Sequence, residues 1–205
     1  MLANFVTLSR LFFLALSVYL LHAPSVAGRF AAFFLIIFTI LIDAVDGYIA
    51  RQRGSASALG AVLDIAIDRV VENVFWITFV SLELVPLWVA LVVVTRGILT
   101  DAVRGFAMGQ NLTPFEMMQT GWGRWLVSHR FMRAAYGLFK AVTFPALALL
   151  HALSLAWSGT ARADALPALE SVVTILILLT VTLTLARGIP VLLEGRRFFV
   201  VEQER

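Results

Sequence analysis

An all-α integral membrane protein of six transmembrane helices is the fold class this sequence predicts, on three observations. The 205 residues are 60% hydrophobic and only 14% charged, against about 25% charged in an ordinary soluble domain. Their mean hydropathy is +0.92. The apolar residues also gather into six long runs with short connections, and a spanning helix needs about 20 apolar residues. Six such helices use nearly the whole chain, so residues 1–205 are expected to form a single domain.

The runs lie at 5–22, 30–50, 60–82, 85–105, 131–155 and 168–193, each long enough for a membrane helix and too long for a buried strand. Turn residues mark the breaks. Pro24 and Gly28 interrupt the chain after the first run, Arg51 to Ser57 after the second, and Pro86 after the third. The longest connection, 105–130, contains Gly109, Pro114 and Gly121-Trp-Gly123 and is the segment suited to lying along the membrane surface. The C-terminal residues from Glu194 to Arg205 read as a short tail. Leu11 to Leu21 followed by Ala23-Pro-Ser-Val-Ala27 has a loose likeness to a secretion signal, but only Arg10 precedes it as a basic residue. The reading adopted is a first spanning helix.

Threading six helices back and forth puts both termini and the loops 51–59 and 105–130 on one side, leaving Arg29 and Arg162 in loops on the other. The excess of arginine on the first side predicts that it faces the cytoplasm, in a multi-pass protein of the cytoplasmic membrane. A net charge of +3 then reflects topology and the anionic lipid bilayer, and nucleic acid is not an expected partner. The absence of cysteine excludes disulfides, thiolate ligands and a thiol nucleophile. His22, His129 and His151 are scattered and suit polar or interfacial roles.

Against this apolar background stand four aspartates. Asp43 and Asp46 share a helix face with Gly47 and Ala50, at i, i+3, i+4 and i+7, and Asp64 and Asp68 share one on the next helix at i and i+4. The short connection makes the two helices antiparallel neighbours, so the four carboxylates can converge near the cytoplasmic surface. Each carboxylate costs roughly 3 kcal/mol at mid-membrane, about 12 kcal/mol together, and clustered like charges call for a cation. All-oxygen ligands select Mg2+ or Mn2+, and such an ion keeps open positions for a phosphate. Gly47, Ala50 and Gly60 leave space for close helix approach and a bulky ligand.

The string Asp43-x-x-Asp46-Gly47-x-x-Ala50-Arg51-x8-Gly60-x3-Asp64-x3-Asp68 resembles the signature of the CDP-alcohol phosphotransferases (CDP-alcohol phosphatidyltransferases), matching eight identities over 26 positions. Asn4-x-x-Thr7-x-x-Arg10 is similar to that family's entry to its first helix, and is equally a plain helix start with an interfacial arginine. The resemblance implies that Asp43, Asp46 and Asp64 hold two divalent ions with help from Asp68, that the ions hold the pyrophosphate of CDP-diacylglycerol, and that Asp68 takes the proton of an alcohol acceptor as CMP leaves. It further implies that Gly47, Ala50 and Gly60 line the cytidine site with Arg51 near the phosphates, that Asn4 and Thr7 stand on the donor side, and that the protein is a homodimer.

For the acceptor, Arg96 and Arg104 lie along the fourth run with Thr100 between them, and Arg130, Arg133 and Lys140 can share a face of the fifth. Cations set a turn or more into apolar sequence usually face a polar cavity. The expected acceptor is therefore a polyol phosphate, with glycerol 3-phosphate first and inositol phosphate or another alcohol as the alternative. Arg96-x-Ile98 to Arg104 partly resembles phosphatidylglycerophosphate synthases; it departs from them at Gly97, and Leu126 and Val127 follow Arg124 where another lysine is expected. Two other classes also use intramembrane carboxylates. An intramembrane prenyltransferase carries its aspartate motifs far apart in a longer chain, and a divalent-cation transporter shows paired repeats or broken helices.

Overall fold

The computed structural model of the chain describes residues 2–53, 58–109 and 117–201, with side chains at 9–42, 60, 62–109 and 117–196. Every regular element among them is helical: α1 (Leu2–Leu21), α2 (Val26–Arg53), α3 (Ala58–Ser81), α4 (Leu87–Gly109), α5 (Gly121–Ser128), α6 (Arg130–Ala156), a 3-10 turn (Ala161–Ala165) and α7 (Leu166–Val201). Each of the six apolar runs corresponds to one long helix, and α5 is a short additional helix within the long connection.

Two described segments, Arg130–Ala156 and Ala161–Arg196, are long and apolar enough to cross a membrane, and Ser9–Leu21 and Val26–Ile42 are shorter apolar stretches. Helices α3 and α4 have the length, at 24 and 23 residues, or about 36 and 35 Å at 1.5 Å per residue. What they lack is uniform apolarity. Asp64, Asp68, Arg69 and Glu72 interrupt α3, and Arg96, Asp101 and Arg104 interrupt α4. The residues that make these helices poor apolar spans are the candidate site residues and their neighbours.

The chain forms two compact units, one of residues 1–90 and 141–175 and one of 91–140 and 176–205. In the first, α1 packs against α2 and α3. The turn into α2 is set by Ser25, whose hydroxyl accepts from the Gly28 amide at 3.1 Å as an N-cap. Gly28 is required there, because a Cβ would lie 2.7 Å from Ala23 Cβ. Helix α3 ends in a Schellman turn: Leu84 N–H donates to Phe79 O and Glu83 N–H to Val80 O, both at 3.0 Å. Glu83 occupies the left-handed position at φ 59°, which glycine normally fills, and Pro86 follows directly before α4. The core of this unit centres on Phe144, with the rings of Trp76 and Phe75 at 5.2 and 5.3 Å. His151 donates a ring N–H to Leu21 O at 3.0 Å while its own carbonyl accepts from Arg29 at 3.2 Å, so this histidine ties helix ends together.

In the second unit Ala107, Met117, Met118, Val127 and Val191 form a buried cluster with Val103 against it. Thr120 caps α5, accepting from Gly123 N–H at 3.2 Å. Glu194 accepts from the Gln119 amide at 2.5 Å and from the Thr120 hydroxyl. The C-terminal stretch differs from the expected tail: α7 runs on to Val201. The reason is that Glu194 has partners inside the fold and Gly195 is a packing glycine, where a Cβ would collide with Val103. It does not cap the helix.

Candidate active site

Helices α1 and α3 run in the same direction: Arg10 meets Asp64 and Asp68 in their first halves, and His22 meets Ser81 at their far ends. Asp64 and Asp68 lie six and ten residues into α3 and Arg10 eight into α1, or about 9, 15 and 12 Å from the helix starts. The register brings them level. Arg10 Nη1 donates to Asp64 Oδ1 at 3.3 Å and Nη2 to Asp68 Oδ1 at 2.5 Å. The guanidinium is 5% exposed and the two carboxylates are 56% and 46% exposed. Arg10 therefore grips both aspartates from the buried side, while the carboxylates themselves remain about half exposed.

Asp43 and Asp46 lie ten and seven residues before the end of α2 at Arg53, about 15 and 10 Å from it along the helix. Their side chains, and those of Gly47, Ala50 and Arg51, lie outside the described residues, as do those of Asn4 and Thr7 in α1. Gly60 is half-buried near the start of α3. Among the described residues no three metal-donor side chains converge. The two carboxylates that are described do fit a divalent cation: both are hard oxygen donors, one helical turn apart, close enough for a single cationic group to span them.

A further acidic residue continues this face. Glu72, four residues beyond Asp68, is 2% exposed and accepts from Arg69 Nη1 at 2.9 Å. Sequence reading passed over Arg69 and Glu72 and placed Arg10 only as a helix-start residue. The available signal was the i, i+4, i+8 spacing of Asp64, Asp68 and Glu72.

The basic residues gather in the second unit around Tyr136 of α6. Arg187, Lys140 and Arg96 face its ring at 5.0, 5.5 and 5.9 Å, a geometry in which the ring's negative face attracts each cation. Arg104 and Arg133 are near enough to act electrostatically on Arg187, and Arg104 also pairs loosely with Asp101 at 3.8 Å. Arg130 begins α6 in an exposed position. Gly188 makes room for the group: a Cβ there would sit 2.7 Å from Arg96 Cγ. Arg187 donates to Val127 O at 3.4 Å, and its buried Nε has no hydrogen-bond partner among the described residues. The expected set thus converges in part, and Arg187 of α7 joins it. Its signal was a lone cation deep in the last apolar run, beside Gly188 and Pro190.

The sequence model of the CDP-alcohol phosphatidyltransferase family matches residues 1–186. The chain belongs to that family. The match spans both aspartate-bearing helices and all but the last part of α7, and the family is generally dependent on divalent cations. Similar proteins include the archaetidylinositol phosphate synthase of Aeropyrum pernix, 30% identical over 93 residues, covering 44% of this chain and 47% of that protein. A putative cardiolipin synthase of Mycobacterium tuberculosis is 33% identical over 118 residues, 58% of this chain and 56% of that protein. The CDP-diacylglycerol--glycerol-3-phosphate 3-phosphatidyltransferase of Bacillus subtilis is 27% identical over 115 residues, 50% of this chain and 60% of that protein. The chain spans about half the length of the curated relatives it matches.

Proposed function

We propose that this CDP-alcohol phosphatidyltransferase family member transfers a phosphatidyl group from CDP-diacylglycerol to a phosphorylated alcohol, with glycerol 3-phosphate the leading acceptor, and releases CMP. The observation that carries the reading is the pair Asp64 and Asp68, half-exposed on one face of α3 and bridged by one buried arginine. Two Mg2+ or Mn2+ ions held by Asp43, Asp46 and Asp64, with Asp68 assisting, would neutralise the donor's pyrophosphate and the departing CMP. Gly47, Ala50 and Gly60 leave room for the cytidine, and Arg51, Asn4 and Thr7 stand on the donor side. Asp68 takes the proton of the acceptor hydroxyl as its oxygen bonds to the lipid-side phosphorus and the bond to CMP breaks.

Acceptor recognition falls to Arg96, Arg104, Arg130, Arg133 and Lys140, joined by Arg187. So many cations are costly in an apolar chain and suit an anion better than a neutral polyol. The buried Nε of Arg187, which has no partner among the described residues, supports this, since it is a donor in need of an acceptor. The long helices suit a six-span protein of the cytoplasmic membrane with its aspartates toward the cytoplasm and its termini on that side. Residues 1–205 act as one catalytic domain, in keeping with a family match across both units, and the protein works as a homodimer. A second acceptor, inositol phosphate, is favoured by the name of the Aeropyrum relative. Offering glycerol 3-phosphate, inositol phosphate, free inositol and serine with CDP-diacylglycerol, and weighing the lipid product by mass spectrometry, decides between them. Efficient use of serine or free inositol would overturn the phosphate-acceptor reading.

A further inference from the structure

We propose that Arg10 is an internal counter-ion that competes with the divalent cations for Asp64 and Asp68, holding the aspartate face together until metal arrives. The inference rests on the reading of these aspartates as metal ligands. Its own observation is the bridge: one guanidinium, almost wholly buried, reaches an oxygen of each carboxylate at 3.3 and 2.5 Å. Arg10 thereby answers two needs at once. A buried arginine requires anionic partners, and an acidic face requires a positive charge to offset its own repulsion.

The arrangement has a consequence for metal binding. Arg10 Nη2 engages Asp68 Oδ1 closely, so the guanidinium already offsets part of this carboxylate's charge. A divalent cation approaching the half-exposed carboxylates would meet a positive charge one carboxylate away and must overcome it. Arg10 then gives up part of its hold on Asp68 as the cation takes over the neutralising role. Metal affinity is lowered by the resident charge, and the metal-free protein is protected from the repulsion it would otherwise suffer. Arginine suits this task better than lysine, because its planar fork can bridge two carboxylates while an ammonium acts as a point charge.

The experiment measures Mn2+ binding to the full chain in detergent, by the electron paramagnetic resonance signal of free Mn2+, for wild type, R10Q, R10K and D64N. R10Q should bind Mn2+ tighter than wild type, by about tenfold or more given one unit charge removed next to the ligands. R10K, which keeps the charge but spans the pair less well, should fall between. R10Q should also melt below wild type in EDTA, with the gap narrowing in saturating Mn2+. Wild-type binding that is lost in D64N, together with unchanged or weaker binding in R10Q, overturns the counter-ion role and leaves the metal site standing. Should R10Q fail to fold, R10K carries the test, and affinity equal to or below wild type overturns the role. Absence of Mn2+ binding by wild type, or binding untouched by D64N, overturns the metal reading and this inference with it.

Discussion

Replacing Arg187 with alanine should damage use of the acceptor while sparing the donor. Arg187 is poorly satisfied: its bond to Val127 O is long at 3.4 Å, its buried Nε has no hydrogen-bond partner among the described residues, and its guanidinium lies over the Tyr136 ring at 5.0 Å. A cation–π contact of this kind contributes roughly 0.5–2 kcal/mol. Relief of repulsion from Arg96, Arg104 and Arg133, which all act on Arg187, offsets that loss, so the variant should stay folded with stability within about 1 kcal/mol of wild type. Binding is affected differently. A charge-assisted hydrogen bond to phosphate is worth about 1.5–3 kcal/mol, so its loss should raise the acceptor KM roughly 10–150-fold. Initial rates at varied glycerol 3-phosphate and fixed CDP-diacylglycerol, then the reverse, measure the two constants separately. The donor KM should move less than about twofold, since no donor group is removed. An unchanged acceptor KM, or equal increases in both constants, would refute the placing of Arg187 in an acceptor site.

Further outcomes follow from the same geometry. Arg104→Ala and Arg133→Ala should each raise the acceptor KM well above any change in the donor KM, and wild-type values in both would make these residues topology anchors. Asp68→Asn should keep metal-dependent CDP binding while losing turnover, whereas Asp43→Asn should lose the binding as well; calorimetry with CDP and Mg2+ separates them, and equal loss in both makes Asp68 chiefly a ligand. Glu83→Gly should stabilise the protein by about 1 kcal/mol, because Glu83 holds the left-handed turn position at φ 59°; a lower melting temperature would show that its side chain matters more than its backbone. Gly188→Ala should disturb acceptor use through its overlap with Arg96, and an unaltered acceptor KM would show that Arg96 relocates freely.

The helices were legible because long apolar runs have one common explanation in a chain of this composition, and Pro86 and the Ser25–Gly28 turn punctuate them. Helix α5 was not, since eight residues beginning Gly-Trp-Gly have weak intrinsic helicity; the Thr120 cap and the contacts of Glu194, some 74 residues away, supply what local sequence lacks. The end of α7 was misjudged for a related reason. Polar residues suggest a tail, but Glu194 and Gly195 are polar or small because they pack. In the site, Asp64 and Asp68 were visible through their i, i+4 spacing. Arg10 was not assigned to them because its partners lie 54 and 58 residues on, and periodicity within one helix carries no information about which neighbour it will face. Arg187 was hidden in the same way by the apolar run around it.

The central claim is that this chain uses its aspartate face to move a phosphatidyl group off CDP. It is tested most directly by following CMP release from CDP-diacylglycerol in detergent with glycerol 3-phosphate and Mg2+, for wild type and for D64N. The expected result is CMP formed in step with a new acidic phospholipid by the wild type, abolished by EDTA and nearly absent in a folded D64N. Near-normal CMP release by D64N, or none from the wild type with any alcohol offered, would contradict the assignment.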